Sequence, residues 1–550
     1  MKIIIPMSGM GNRFLQAGYT TPKPLIEIDG KPIIEHVVEM FPKEEDFIFI
    51  CNSKHLNETS MRSILQRIAP KGTILEIPPH KMGPVYAVLF AQDLIGDEEE
   101  VIVNYCDFSC YWDYQDFLNH TRSRKADGAV PAYRGFHPHM LGTTNYAFMR
   151  EKEQWMLEIK EKEPFTDNRM QEYASMGTYY FSKGAYVKKY FKALIERDIA
   201  LNGEFYVSLI YNLLVEDDLK VSIYDVQHML QWGTPQDVEE YLGFSDYFRA
   251  IAESGTTHEQ IDEENSINLI PLAGRGSRFV KEGYQDPKPL IKVSGKPMIV
   301  QAADHLPKAE KNIFVCLEEH IKKYPLADSI NIAYPSSKIV SINEVTEGQA
   351  CTCELGLKGE DVEAPLLIAA CDNGMLWDSE VYKDLIADET VDAIVWSFRN
   401  HPSSERNPEM YGWIRADEKN DVHGVSVKIP ISTTPREDHA IVGTFYFRKT
   451  KHFLDAIHRM YEKDIRVNGE FYVDSCINEL VEMGLKVKVF EIDHYVGWGT
   501  PNDYLTYKYW QSFFHKVDWH PYRMEKDPWM NIDAVTGLKK EYNSFQQEWK

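Results

Sequence analysis

Short runs of apolar residues alternate along this chain with stretches whose apolar positions recur every three or four residues. KIIIPM (2–7) predicts a short buried strand, IIEHVVEMF (33–41) a helix, DFIFIC (46–51) the next strand and MRSILQRIA (61–69) the next helix. VIVNYCD (101–107) and PLLIAACD (365–372) are predicted strands that end on an aspartate. Strands alternating with helices predict an α/β fold with a mostly parallel sheet flanked by helices. Ligands of such sheets gather at the carboxyl ends of the strands.

The pattern occurs twice. MKIIIPMSGMGNRFLQAGYTTPKPLIEIDGKPI, at the start, returns as INLIPLAGRGSRFVKEGYQDPKPLIKVSGKPM near the middle. Pro6 matches Pro271, Arg13 matches Arg278 and Lys23 matches Lys288, all 265 positions apart. The same offset joins Gly83 to Gly348, Asp107 to Asp372 and Arg134 to Arg399. After one inserted residue the offset is 266 and joins Lys162 to Lys428 and Gly177 to Gly443. NGEFYV (202–207) recurs at 468–473 and WGTP (232–235) at 498–501. A period this long is a duplicated domain rather than a solenoid. The predicted divisions are a first domain over 1–250, an acidic linker over 251–266, a second domain over 267–510 and an aromatic, charged tail over 511–550. The tail reads either as helical packing or as an oligomer contact.

Bulk composition narrows the partners. At 550 residues the chain is too long for one core, and 43% hydrophobic with 26% charged residues is a globular mix. A net charge of −24 argues against tracking nucleic acid or lying on an anionic membrane. No apolar stretch is long enough to span a bilayer, and the first apolar run breaks at Gly9 and Gly11. Neither the eight scattered cysteines nor the Cys351–Cys353 pair has zinc-site spacing. Reduced thiols and the missing leader predict a cytoplasmic protein.

Candidate chemistry begins at the repeated glycines. Gly9 and Gly11, with Gly274 and Gly276, stand where a strand turns into a helix, so backbone N–H groups can face an anion there. Arg13 and Arg278 follow at once, and the prolines flanking Lys23 and Lys288 fix each cation in place. Asp107 and Asp372 each stand five residues before a Trp-Asp pair.

The arrangement G-x-G-x-R-F…P-K-P-L resembles the sugar-phosphate nucleotidyltransferase superfamily over both halves of the chain. That resemblance implies two tandem Rossmann-like domains. It also implies the reaction of an NTP with a phosphorylated small-molecule acceptor to give a nucleotide-activated acceptor and pyrophosphate. It assigns Arg13 and Arg278 to the departing phosphates, Lys23 and Lys288 to the α-phosphate, and Asp107 and Asp372 to Mg²⁺. Gly348 with Gln349, and Gly83 in the first half, fall to the nucleotide base. Lys162 and Lys428 fall to the acceptor phosphate, with Glu161, Gly177, Gly412 and Gly443 also at the acceptor end. Glu204 and Glu470 either bind acceptor hydroxyls or help hold metal; equally, NGEFYV reads as a helix start capped by its asparagine.

Departures from the family pattern matter as much. The aspartate expected two residues before Gly-Thr is Gln231 in one half and Gly497 in the other. Metal is then held through Asp225, Glu491 or Asp493, or activity is weakened in both halves. The halves also differ where Glu161 faces Val427, Pro84 faces Gln349, Ala147 faces Gly412 and Ser208 faces Asp474, which predicts different acceptors or one demoted half. His228 and His494 read as structural, and Trp232 and Trp498 as core or pocket wall. The leading expectation is a nucleotidyltransferase supplying surface-glycan precursors. A GT-A glycosyltransferase and a nucleotide-binding regulatory protein are the alternatives.

Overall fold

The computed structural model of the chain describes residues 1–254 and 263–544; positions 255–262 of the predicted linker and 545–550 of the tail lie outside the described residues. Two compact units emerge, Met1–Leu242 with the stretch from Glu541, and Gly243–Lys540.

In unit 1 the central sheet runs Thr73–Ile77, Phe47–Asn52, Lys2–Met7, Val101–Asn104, Thr178–Phe181, Gly128–Tyr133, Val221–Asp225. Neighbours are parallel except at Thr178–Phe181, which runs antiparallel to the strands on both sides of it. A smaller antiparallel group, Ala147–Lys152, Trp155–Glu161 and Tyr173–Ser175, extends the far edge. Fully buried apolar side chains such as Ile3, Ile4 and Ile5 explain the unbroken apolar run, since helices cover both sheet faces.

Unit 2 has the same strand order: Lys338–Ile342, Ala309–Leu317, Glu263–Leu272, Leu366–Ile368, His439–Phe447, Ala393–Phe398, Val487–Glu491. Its second, fourth and sixth members repeat the parallel and antiparallel pairings of unit 1. Alternate residues of the first strand feed two cores, Ile267 and Leu269 into one and Ile270 and Leu272 into the other. The α/β architecture with a mostly parallel sheet is therefore as expected in each unit.

Two local expectations need correction. The strands do not end on the aspartates: they stop at Asn104 and Ile368, and Asp107 and Asp372 lie in the bends beyond. There the backbone leaves the sheet, Tyr105 N–H bonding Gly177 O at 3.0 Å and Ala370 N–H bonding Gly443 O at 2.9 Å. It then pairs as Phe108–Tyr111 with His228–Gln231, and as Asn373–Leu376 with His494–Gly497. Nor does the asparagine of NGEFYV cap a helix. The helices begin at Val207 and Val473, and Asn202 sits in a left-handed turn with φ 53°.

Within unit 2 the residues after Phe514 fold back on the turn that follows the PKPL segment. Asn531 N–H bonds Ser294 O at 3.0 Å, and the Gln511 amide nitrogen bonds the hydroxyls of Ser294 (3.0 Å) and Tyr522 (2.9 Å). Tyr522 in turn donates to Asp527 at 2.7 Å, and Trp529 stacks on His305 at 4.1 Å.

Candidate nucleotide and acceptor site

Strand Lys2–Met7 lies between Phe47–Asn52 and Val101–Asn104, so the connections from it and from Val101–Asn104 diverge at its carboxyl end. A crevice opens at such a switch point. Gly11, with φ 67°, begins helix Asn12–Gln16, and Gly276, with φ 60°, begins Ser277–Lys281. A β-carbon on Gly276 would sit 3.0 Å from Lys288 Cβ, so the glycine also lets the PKPL segment pack against the turn. Pro22 and Pro24 bracket Lys23 in a short 3-10 turn, and Pro287 and Pro289 do the same for Lys288.

These constraints aim Lys23 Nζ at Asp107 Oδ2, 2.7 Å away, and Lys288 forms the same ion pair with Asp372. Burial works against each ammonium, but the neighbouring carboxylate outweighs it, so both lysines titrate above their ordinary value. Each is thus held charged at every physiological pH. Arg13 donates to Asn145 Oδ1 at 3.2 Å, while Arg278 donates to the soft sulfur of Met410 at 3.5 Å.

A cavity of about 430 Å³ in unit 1 brings the predicted residues together. Gly9, Gly11, Arg13, Lys23 and Asp107 line it on the glycine-turn side, and Glu161, Lys162, Gly177 and Glu204 also line it. Its volume suits a small-molecule ligand. Gly83 does not line it, although its neighbours His80 and Lys81 do. The reason glycine stands there is packing: a β-carbon on Gly83 would lie 2.7 Å from Phe205 N and 2.8 Å from Phe205 O. Gly348 meets the backbone of Phe471 in the same way, and Gln349 begins the helix Gln349–Gly356 behind it.

At the predicted acceptor end Lys162 and Lys428 both hold φ 60°, a left-handed conformation that costs a non-glycine residue on the order of 1 kcal/mol. Lys162 N–H bonds Tyr146 O at 2.8 Å and Lys428 N–H bonds Tyr411 O at 2.9 Å, which holds the strained turn. Strain kept in both units marks these lysines as functional candidates. Lys162 Nζ bonds the hydroxyl of Tyr206 at 2.7 Å, and that hydroxyl donates to Glu204. Lys428 Nζ lies 5.4 Å from the centre of the Tyr472 ring, with Glu470 exposed nearby in sequence. Glu161 accepts the Ser208 hydroxyl at 2.5 Å; burial raises its carboxyl, against the pull of Ser208 and Lys162. Gly443 has φ 91°, with Ala370 Cβ 3.1 Å from where its own β-carbon would be.

The three carboxylates considered as substitutes for the absent aspartate are placed elsewhere. The Arg399 fork grips Glu491 at 2.9 and 2.7 Å, and Asp225 faces Tyr173 at 3.3 Å. Asp493 precedes His494, the far end of the strand from Gly497, which pairs with Asn373 beside Asp372. Instead Gln231 stands beside Asp107: a β-carbon on Gly233 would lie 2.6 Å from Gln231 Nε2 and 3.2 Å from Asp107 Oδ2. No group of three or more metal-ligating side chains occurs among the described residues. One carboxylate per site fits a hard cation that takes its remaining ligands from phosphate oxygens and water.

Trp232 and Trp498 are core, fully buried, with Trp232 packed edge-on against Tyr241 at 5.3 Å. Burial pulls His494 below its ordinary value, which keeps it neutral at pH 7. Sequence reasoning passed over Asn145 and Tyr206. Tyr206 had a signal, its place in the repeated NGEFYV; Asn145 had none, since Met410 takes its place in the second half.

Residues 2–202 match the model of the nucleotidyl transferase family. The chain is 27% identical over 150 residues to mannose-1-phosphate guanylyltransferase catalytic subunit beta of Danio rerio, covering 26% of this chain and 41% of the relative. Over 56 residues it is 39% identical to glucose-1-phosphate cytidylyltransferase of Salmonella typhimurium, covering 10% of this chain and 22% of that enzyme. The chain thus spans less than half the length of these curated relatives. Among solved structures, a nucleoside-diphosphate-sugar pyrophosphorylase from Vibrio cholerae aligns at 22% identity with a TM-score of 0.37, covering 44% of this chain and 99% of that one.

Proposed function

We propose that each unit transfers a nucleotidyl group from an NTP to a phosphorylated small-molecule acceptor and releases pyrophosphate. The observation that carries this reading is the cavity that places Arg13, Lys23 and Asp107 together with Lys162. A phosphate oxygen of the acceptor attacks the α-phosphorus in line, the bond to the β-phosphate bridging oxygen breaks, and pyrophosphate leaves with that electron pair. The nucleophile is already anionic, so no base is required. What remains for the protein is positioning and charge neutralisation.

Lys23 and Lys288 would hold the α-phosphate, Arg13 and Arg278 the departing phosphates, and Lys162 and Lys428 the acceptor phosphate. Asp107 and Asp372 would hold Mg²⁺, which supplies charge neutralisation between the phosphates. Arrival of phosphate lets Lys23 exchange its carboxylate partner for a phosphoryl oxygen without an uncompensated charge at either stage. The relatives act on sugar 1-phosphates by name, which supports a nucleotide-activated sugar as product; its making in the cytoplasm for glycan assembly belongs to the same proposal. The test is pyrophosphate release from each NTP against a panel of phosphomonoesters, with Lys23→Ala and Lys288→Ala made separately. If neither variant loses turnover, the phosphate-grip assignment is wrong.

A further inference from the structure

Among the positions where the two acceptor ends differ, three differences fit one another. Unit 1 has Ala147, Glu161 and Ser208 where unit 2 has Gly412, Val427 and Asp474. In unit 1 the carboxylate comes from the end of strand Trp155–Glu161, and Ser208 on the facing helix donates a hydroxyl to it at 2.5 Å. In unit 2 the strand end is apolar, Val427 being part of the core. The carboxylate there comes from the opposite wall, as the second residue of helix Val473–Glu482. Gly412 makes the room: a β-carbon on it would collide with Asp474 Oδ2. In unit 1 Ala147 takes the matching place, and the helix residue is the shorter Ser208.

Charge and volume have thus been exchanged together, and in each site the exchanged carboxylate stays under the influence of the predicted acceptor lysine. An acid in the first turn of a helix is favourable by itself through the helix dipole. Burial nevertheless outweighs that here and pushes Asp474 up to about 6. A side chain retained against its own desolvation, beside a phosphate-binding lysine, is placed for a ligand rather than for the fold.

We infer that Asp474 is the acceptor-reading carboxylate of unit 2, in the role Glu161 fills in unit 1, so that the two units select hydroxylated phosphomonoesters whose hydroxyls lie at different positions relative to the phosphate. This rests on the nucleotidyl-transfer reading. A carboxylate that receives a hydroxyl forms a charge-assisted hydrogen bond, and a site built around one rejects an acceptor that lacks the hydroxyl there. Glu161 already receives one in the ligand-free state, from Ser208.

The test uses the full chain. Unit 1 is read in a Lys288→Ala background and unit 2 in a Lys23→Ala background. Both are assayed for pyrophosphate release with glucose 1-phosphate, mannose 1-phosphate, glycerol 3-phosphate and phosphocholine. Grafting A147G/E161V/S208D into the Lys288→Ala chain is expected to turn its acceptor ranking into that of the Lys23→Ala chain. The ratio of kcat/KM between two hydroxylated acceptors should swing by about 10- to 100-fold with the NTP KM unchanged, the range a charged hydrogen bond commands. Asp474→Asn, which preserves shape, should raise only the acceptor KM of unit 2. The inference is overturned if the graft keeps the parental ranking, if both parents rank the four compounds alike, or if hydroxyl-free phosphocholine is preferred by both. No pyrophosphate from the unaltered chain with any pairing would instead overturn the transfer reading. In that event calorimetric titration of the same four compounds into Glu161→Gln and Asp474→Asn chains decides the carboxylate assignment alone, and unchanged affinities overturn it.

Discussion

The Lys23–Asp107 pair shows how one contact serves two states. Without ligand the aspartate compensates the lysine; in the proposed reaction the lysine would face phosphate and the aspartate would be free to hold a cation. Removing the ammonium in Lys23→Ala leaves the α-phosphate without its fixed charge, and turnover in unit 1 should fall by about 10²- to 10³-fold in a pyrophosphate assay. Asp474 gives a pH dependence of definite sign. Its carboxyl is raised from an ordinary 3.8 to about 6 by burial, with Lys428 pulling the other way and Tyr472 and Cys476 also facing it. Because the folded pKa is the higher one, folding favours the protonated form, and this group weakens stability as pH rises from about 4 to 6. Asp474→Asn should therefore melt at or above the parent temperature at pH 7, with the difference closing toward pH 4. In acceptor kinetics of the Lys23→Ala chain, the part of the acid limb that Asp474→Asn abolishes is the part owed to this carboxylate.

At the level of elements, two glycines with positive φ behave differently because of what surrounds them. Gly11 has φ 67° and ordinary contact only, Lys23 Cβ being 3.7 Å from a built β-carbon. Gly348 has φ 146°, and its β-carbon would strike both the N and the O of Phe471. Gly11→Ala should cost about 1 kcal/mol of stability, the strain of the left-handed backbone alone. Gly348→Ala adds overpacking and the loss of the bonds from Phe471 N–H to Glu347 O (2.9 Å) and from Ala350 N–H to Phe471 O (3.0 Å), about 3 kcal/mol in all. Urea unfolding of the two variants checks the contrast. The strand period and the helix period were legible in sequence at this scale. The ends of the strands before Asp107 and Asp372 were not, since the bend is decided by a partner glycine dozens of residues away.

Across the whole molecule, the duplicated strand order gives each unit its own glycine turn, PKPL lysine and an aspartate in the bend beyond a central strand. Silencing one lysine should leave the activity of the other unit, with a different best acceptor, in the same pyrophosphate assay. The tail contributes to unit 2 through the buried Ser294–Gln511–Tyr522–Asp527 chain of hydrogen bonds. Gln511→Ala removes the buried donor shared by the Ser294 and Tyr522 hydroxyls, which keep Tyr507 and Asp527 as partners, and should lower stability by about 1 kcal/mol, read as a lower urea midpoint.

By itself the sequence determined the α/β class and the repeat, and it laid out the residues proposed as the phosphate grip. It could do so because the grip is local: a turn glycine, the arginine after it and a proline-bracketed lysine lie within fifteen residues of chain, and their spacing carries their geometry. The acceptor end has no such local code. Ala147, Glu161 and Ser208, or Gly412, Val427 and Asp474, come from three elements far apart in sequence, and each choice is sensible only beside the other two. That Gly412 leaves space for a carboxylate from the facing helix is a fact of close packing between elements, and only the tertiary structure could decide it.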